Sequence, residues 1–338
     1  MIYPKFLKNG GTIGVTAPSA GSESDIDIFQ IENATKNLKE VGINVIETPN
    51  CRKSEGIRSS DAKTRAKELE SLFTNDDVDS IVCLAGGEFL VEILPYIDFE
   101  IIRSNPKWLQ GFSDITGISY VITTTLDIAT VYGNNFTTYS MKEWHKSIED
   151  NFKILTGNII KQESYELYEN ERKEKFIGNE GFNLDSKVKW INLNGEDKIE
   201  LKGRIIGGCL DLLSTIAGTK YDSTLKFIEK YKNDGVIWYF DNCELSCEDV
   251  IRTMWKFKEM GWFEYAKGIV FGRTMIERSC TGITFHEAVR TSFKDINIPI
   301  IIDADIGHKR PQKTIINGAI ATIRSANGRG SIELEIKE

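Results

Sequence analysis

Hydrophobic residues come in short runs of four to six, and each run is followed by a stretch with helical spacing. Gly11 to Pro18 predicts a first buried strand, and Ile26 to Val41 a helix that stops at Gly42. Ile43 to Glu47 predicts a second strand, Asp61 to Phe73 a helix with a charged outer face, and Ser80 to Leu84 a third strand closing on Ala85-Gly86-Gly87. Glu88 to Ile97 predicts a short helix, Lys107 to Gln110 a strand, and Ala129 to Tyr132 one more. Strands alternating with helices imply a parallel sheet covered on both faces, a flavodoxin- or Rossmann-like α/β domain.

From about Asn158 the composition turns polar, and from Lys187 a second alternation begins. Lys202 to Gly208, Gly235 to Phe240, Gly268 to Gly272 and Pro299 to Ile302 predict strands. Leu210 to Ala217, Val250 to Met260 and Phe285 to Phe293 predict helices, and strands around Thr314 to Ile323 and Ile332 to Ile336 close the chain. This half predicts an α+β domain with a mixed or small barrel-like sheet. The expected organisation is a domain over 1–157, a linker or insertion over 158–186, and a domain over 187–338. The polar stretch from Tyr165 to Lys175 reads as a solvated surface segment.

Within this frame Trp108-Leu109-Gln110-Gly111-Phe112-Ser113-Asp114-Ile115-Thr116 stands out. An apolar strand leads through a glycine to a serine at a turn, and Asp114 is placed to cap the helix implied by Ile118, Val121, Ile122 and Leu126. Such a turn projects the serine hydroxyl from the carboxyl edge of the sheet, where ligands of α/β sheets gather. By itself the pattern also suits an ordinary helix start, since Ile115 and not glycine stands two after the serine. Gly86-Gly87 is predicted at the same edge, where a bare backbone can offer an N–H toward Ser113.

The chain has 338 residues, 41% of them hydrophobic and 27% charged, and a net charge of −8. That balance describes an ordinary globular protein and argues against nucleic acid or an anionic membrane surface as partner. No apolar run approaches transmembrane length, and no secretory leader is apparent at Met1. Six dispersed cysteines complete no zinc pattern, and a reduced cytoplasmic protein is expected. Gly10-Gly11-Thr12-Ile13-Gly14 does not open a helix, so no nucleotide cofactor is expected, nor any metal.

Three histidines are present. His145 reads as a surface residue, and His286 as a helical residue satisfied by solvent or a local hydrogen bond. His308 follows Gly307 at the end of an apolar strand, a loop position on a rigid scaffold. Asp241 also ends an apolar strand, where a carboxylate needs a partner. Ser113, Asp241 and His308 stand in a permitted order for a hydrolytic triad meeting in one cleft, with the N–H groups of Asp114 and Gly87 as oxyanion donors. Glu244 is the competing acid. Glu248 reads as a favourable acid in a first helical turn.

Thr12-Ile13-Gly14-Val15, Pro18-Ser19, Gly86-Gly87, Gly111 to Thr116, Gly203 to Gly208 and Gly307-His308 together resemble the LD-carboxypeptidase family of serine peptidases over nearly the whole chain. Within it the chain is most similar to the branch that includes microcin C self-immunity peptidases, whose longer insertion the segment from about Ser164 to Glu200 resembles. The resemblance implies an α/β domain and a small β-barrel domain, a homodimer, and a Ser–Glu–His triad falling on Ser113, Asp241 and His308. Aspartate at 241 departs from that pattern by one methylene. Ala85 and Glu88 depart from the arginine and tyrosine that commonly flank the paired glycines, which implies an altered pocket. The implied substrates are the L,D bond before a terminal D-alanine in a cell-wall peptide, or the bond to an aminoacyl-nucleotide toxin, on which Trp190 or Phe182 would stack. The rival reading is a non-catalytic binding protein for small peptides on the same fold.

Overall fold

The computed structural model describes residues 1–171 and 176–336. The chain divides into two compact units. Unit 1 takes Met1–Ile160 with the described part of Arg172–Phe182, and unit 2 takes Lys161–Glu171 with Asn183–Lys337. Residues 172–175 of the predicted polar surface segment lie outside the described residues.

Unit 1 contains β1 (Thr12–Thr16), α1 (Asp25–Glu40), β2 (Asn44–Glu47), α2 (Ala62–Thr74), β3 (Ser80–Cys83), α3 (Phe99–Ser104), β4 (Trp108–Gly111), α4 (Thr116–Val121), β5 (Thr130–Tyr132) and α5 (Lys146–Leu155). The strands neighbour one another in the order β5-β4-β3-β1-β2, every pair parallel. β1 and β3 are buried on both faces because helices cover both, which explains their unbroken apolar runs. The Ser24 side chain caps α1 by accepting from Asp27 N at 3.2 Å, and Gly42 follows the helix at φ +84°. The stretch predicted as a helix from Glu88 is a 3-10 helix, Leu90–Tyr96, that accommodates Pro95. α4 likewise ends early, passing into a π turn over Ile122–Leu126 where three threonines follow one another.

Unit 2 contains β6 (Lys161–Glu163), β7 (Leu167–Tyr168), β8 (Ser186–Lys187), β9 (Ile191–Asn192), β10 (Lys198–Cys209), α6 (Leu210–Ile216), α7 (Thr224–Lys230), β11 (Val236–Asp241), α8 (Cys247–Glu259), β12 (Ala266–Gly272), α9 (Phe285–Ser292), β13 (Ile300–Ala304), β14 (Ile315–Asn317), β15 (Ile320–Ala326) and β16 (Arg329–Glu335). Its main sheet has eight strands in the order β6-β16-β15-β10-β11-β12-β13-β9. β10 pairs parallel with β11 and antiparallel with β15, so the sheet is mixed. The run expected as one strand from Thr314 to Ile323 is two, broken by Gly318 at φ +88°. The segment from Tyr165 is not uniformly solvated. Tyr165 and Glu169 are buried, and Glu169 accepts from Arg310 Nη2 and from Asn183 N, each at 2.7 Å.

β11 is the axis of unit 2, with all six residues buried. Trp238 stacks on Trp262 at 5.2 Å, and Trp262 on Phe257 of α8 at 3.9 Å. This stack fixes the strand that ends at Asp241. Trp238→Ala is expected to destabilise unit 2 by about 3–5 kcal/mol, the usual cost of emptying a core tryptophan site. A denaturant titration that follows unit 2 would show it as a lowered midpoint at unchanged slope.

Candidate active site

The candidate residues fall into two groups, one in each unit. In unit 1, β4 ends at Gly111, and Ser113 opens a 3-10 turn at φ +66°. A left-handed conformation is strained for a serine, and such strain clusters at functional positions. The surroundings hold it there. A Cβ at Gly111 would meet Ile115 at 2.8 Å, and Phe112 N donates to Asn135 Oδ1 at 3.1 Å. A Cβ at Gly86 would come to 3.0 Å from both Cβ and Oγ of Ser113, so only glycine leaves the hydroxyl unobstructed on that side. Gly87 has φ +147°, and a Cβ there would lie 2.3 Å from Ser19 Oγ.

Asp114 corrects one expectation. Its side chain does not cap the helix. It is buried, and its Oδ2 accepts from Ser19 Oγ and, at 2.9 Å, from Leu90 N, tying the loop after β1 to the loop after Gly87. Burial raises its pKa, while the Ser19 and Leu90 hydrogen bonds and the charge of Arg65 oppose that rise. Arg65, also buried, braces both loops by donating to Pro18 O at 3.0 Å and Phe89 O at 3.1 Å. Its Nη2 meets Glu92 at 2.6 Å, and Glu92 meets Arg58 at 2.7 Å. Arg65 and Asn135 have no place in the sequence reading, and Ser19 enters it only within the Pro18-Ser19 motif. A basic residue at an inward helical position of α2 was the available signal for Arg65.

In unit 2, His308 Nδ1 and Asp241 Oδ2 are 2.6 Å apart, and His308 N donates to Asp241 Oδ1 at 3.3 Å. Asp241 is fully buried and His308 nearly so. Gly307 sits at φ +90°, and a Cβ there would fall 1.9 Å from Asp241 Oδ1. The bare glycine thus lets the histidine backbone close onto the short aspartate side chain. Burial favours a neutral His308, but the Asp241 carboxylate and its hydrogen bond, helped by Cys243, outweigh it and push the pKa up to about 10. Glu244 is exposed and set apart. Its N donates to Asp211 Oδ1 at 2.9 Å, and among the described residues its carboxylate has no hydrogen bond. Glu248 does more than favour its helix, since it accepts from Ser279 Oγ at 2.6 Å and Thr281 N at 2.9 Å, organising the loop before α9.

The other histidines differ somewhat from expectation. His145 caps α5 and packs its ring against Phe182 at 5.4 Å. His286 reaches Asp303 on another element at 2.9 Å. Trp190 is not available for stacking, because it is buried with Nε1 donating to Asp305 at 3.0 Å. Among the described residues no helix is long and apolar enough to cross a membrane.

Residues 13–133 match the family model described as the LD-carboxypeptidase N-terminal domain, and residues 202–323 the LD-carboxypeptidase C-terminal domain. The Microcin C7 self-immunity protein MccF of Escherichia coli is 26% identical, across 96% of this chain and 94% of its own. A Bacillus subtilis protein named "Probable murein peptide carboxypeptidase" is 23% identical, across 99% and 95%. The crystal structure of an MccF-like protein from Bacillus anthracis superposes with a TM-score of 0.84 at 25% identity, covering 100% of both chains. MccF in complex with glutamyl sulfamoyl guanosine shares the fold, with a TM-score of 0.81 at 22% identity over 99% of each chain.

The His308–Asp241 pair carries a pH signature. A histidine whose pKa rises on folding stabilises the native state while it is charged in both states. That contribution is complete below the ordinary value of 6.5 and is lost as pH climbs through about 10. The difference in unfolding free energy between wild type and Asp241→Asn is therefore expected to shrink between these limits. A difference that stays constant across that range would refute the coupling.

Proposed function

Because the chain belongs to the LD-carboxypeptidase family, we propose that it is a serine peptidase whose nucleophile is Ser113, whose general base is His308 and whose acid is Asp241. The observation that carries this reading is the buried His308–Asp241 hydrogen bond, 2.6 Å long, which fixes the imidazole with Nδ1 toward the carboxylate. The left-handed backbone of Ser113 supports the nucleophile.

In the proposed reaction His308 takes the Ser113 proton as the hydroxyl attacks a peptide carbonyl. The tetrahedral oxyanion is held by the N–H groups of Asp114 and Gly87, each such donor being worth roughly 3 kcal/mol in the transition state. The imidazolium then protonates the leaving amine, an acyl-enzyme forms on Ser113, and water activated by His308 releases it. No metal or cofactor takes part. Asp241, not Glu244, orients the histidine.

The substrate is a small peptide with a scissile amide near its C-terminus: either the L,D bond of a muropeptide tetrapeptide or the bond to an aminoacyl nucleotide. MccF has been solved with aspartyl sulfamoyl adenosine, which supports the second class, while the murein-peptide name of the Bacillus subtilis relative supports the first. The same reading places the enzyme in the cytoplasm as a homodimer.

A fluorophosphonate probe should label wild type at Ser113 and leave Ser113→Ala unlabelled, and incubation with a muropeptide tetrapeptide and with a peptidyl-adenylate analogue, followed by mass, selects the substrate. Asp241→Asn should lower turnover by about 10,000-fold, as expected when a triad histidine loses its tautomer, while Glu244→Gln stays at the wild-type rate. Activity should rise with pH as His308 loses its proton. An unreactive Ser113 in a folded chain would leave the non-catalytic binding protein as the reading.

A further inference from the structure

Unit 2 holds a cavity of 450 Å³, within the range of small-molecule sites, whose walls include Lys187, Lys189, Arg273, Lys309 and His286. Against these stand two carboxylates, Asp303 and Glu277. Glu277 is engaged by Phe285 N at 2.9 Å, and Asp303 by His286 Nε2 at 2.9 Å. The Asp303 hydrogen bond raises the His286 pKa against the opposing effect of burial, which adds positive charge to the wall.

The cations are positioned by structure. The register of β12 against β13 shifts between Val270 and Gly272, and in the extra residue Asp303 takes φ +60°. This turns the Asp303 carbonyl onto Arg273 Nη1 at 3.0 Å and its carboxylate onto His286. Arg273 is buried, pairs with Asp305 at 2.8 Å, and lies 4.4 Å from the Tyr168 ring centroid. Its Nε is buried and, among the described residues, has no hydrogen-bond partner. Lys309 is tethered through neutral groups, donating to Asn170 O at 2.8 Å and Asn170 Oδ1 at 2.7 Å. Burial, helped by the charge of Arg273, lowers its pKa from the ordinary lysine value against the opposing charges of Asp185 and Glu171. Lys187 and Lys189 are exposed at the rim and have no ion-pair partner among the described residues.

Such a wall of cations suits a compact anion. One guanidinium and three ammonium groups around one cavity match the charge of a phosphoryl group, and a dianion there would relieve the repulsion between Arg273 and Lys309. Independently of the peptidase reading, we propose that this cavity binds a phosphoryl group, either as free phosphate or as a phosphate monoester.

Calorimetry with the full chain tests it, using inorganic phosphate, ribose 5-phosphate, ribose and citrate. Saturable binding of either phosphate compound, but not of ribose, is expected, and the tighter of the two tells a monoester from free phosphate. The double variant K187Q/K189Q, altered only at exposed positions, should weaken that binding by about tenfold or more, the scale of losing charge-assisted hydrogen bonds. K309Q should weaken it as well, with thermal melting confirming that both variants fold. Absence of saturable binding at millimolar phosphate and ribose 5-phosphate, unchanged affinity in both variants, or citrate binding as tightly as the phosphates would each overturn the proposal.

Discussion

The buried hydrogen bond between Asp241 and His308 sets the constraints on unit 2. A carboxylate at full burial costs several kcal/mol unless it is paired and hydrogen-bonded. Here the strand β11 delivers it, the aromatic stack behind Trp238 keeps that strand in place, and the Gly307 backbone admits His308 as a hydrogen-bond partner. Any side chain at 307 would overlap the carboxylate, so the glycine, the aspartate and the histidine form one steric unit. The short aspartate reaches the imidazole because the backbone at 307 approaches closely enough for both His308 N and Nδ1 to meet it.

Unit 1 uses the same device in another form. Ser113 is held at a strained φ, and the space around its hydroxyl is kept by the absence of a side chain at Gly86, while Gly111 makes room for Ile115 and Asn135. The strain is offset by the contacts behind it: Asp114 bonded to Ser19 and Leu90, and Arg65 clamping Pro18 and Phe89. Removing any of these would loosen the turn without touching the serine.

Much of this is legible in the sequence. The apolar runs predicted β1 to β5 and β10 to β13 to within a few residues, because buried parallel strands carry continuous hydrophobic signals. Ser113, Asp241 and His308 were visible as polar residues ending such runs. Short strands such as β7 and β8 were missed, since two-residue pairings leave no periodicity. Asp114 and Trp190 were misjudged for a shared reason. Local patterns suggest a helix cap and an exposed stacking ring, yet both side chains are consumed by partners far away in sequence, Ser19 and Asp305. Long-range hydrogen bonds of buried polar groups have no local signature.

The Asp241–His308 pair also bears on how a hydrolase of this kind divides its work. The carboxylate that orients the imidazole stabilises its cation, which makes the neutral ring a stronger base but keeps more of it protonated at rest, where it cannot take a proton. Burial acts the other way, favouring the neutral ring. In the resting chain the carboxylate prevails. A substrate that covers His308 would remove more water from the ring without moving Asp241, and the remaining question is which of two desolvated charges the site then supports. A cation bonded to a buried anion loses less by dehydration than an isolated one, so the ion pair is the state that a closed site sustains best. That state is the one in which the histidine has already accepted its proton. In the proposed reaction the ring must first give up its proton, and the ion pair re-forms as it accepts the proton of Ser113, so the Asp241 carboxylate would stabilise the charge that acylation creates.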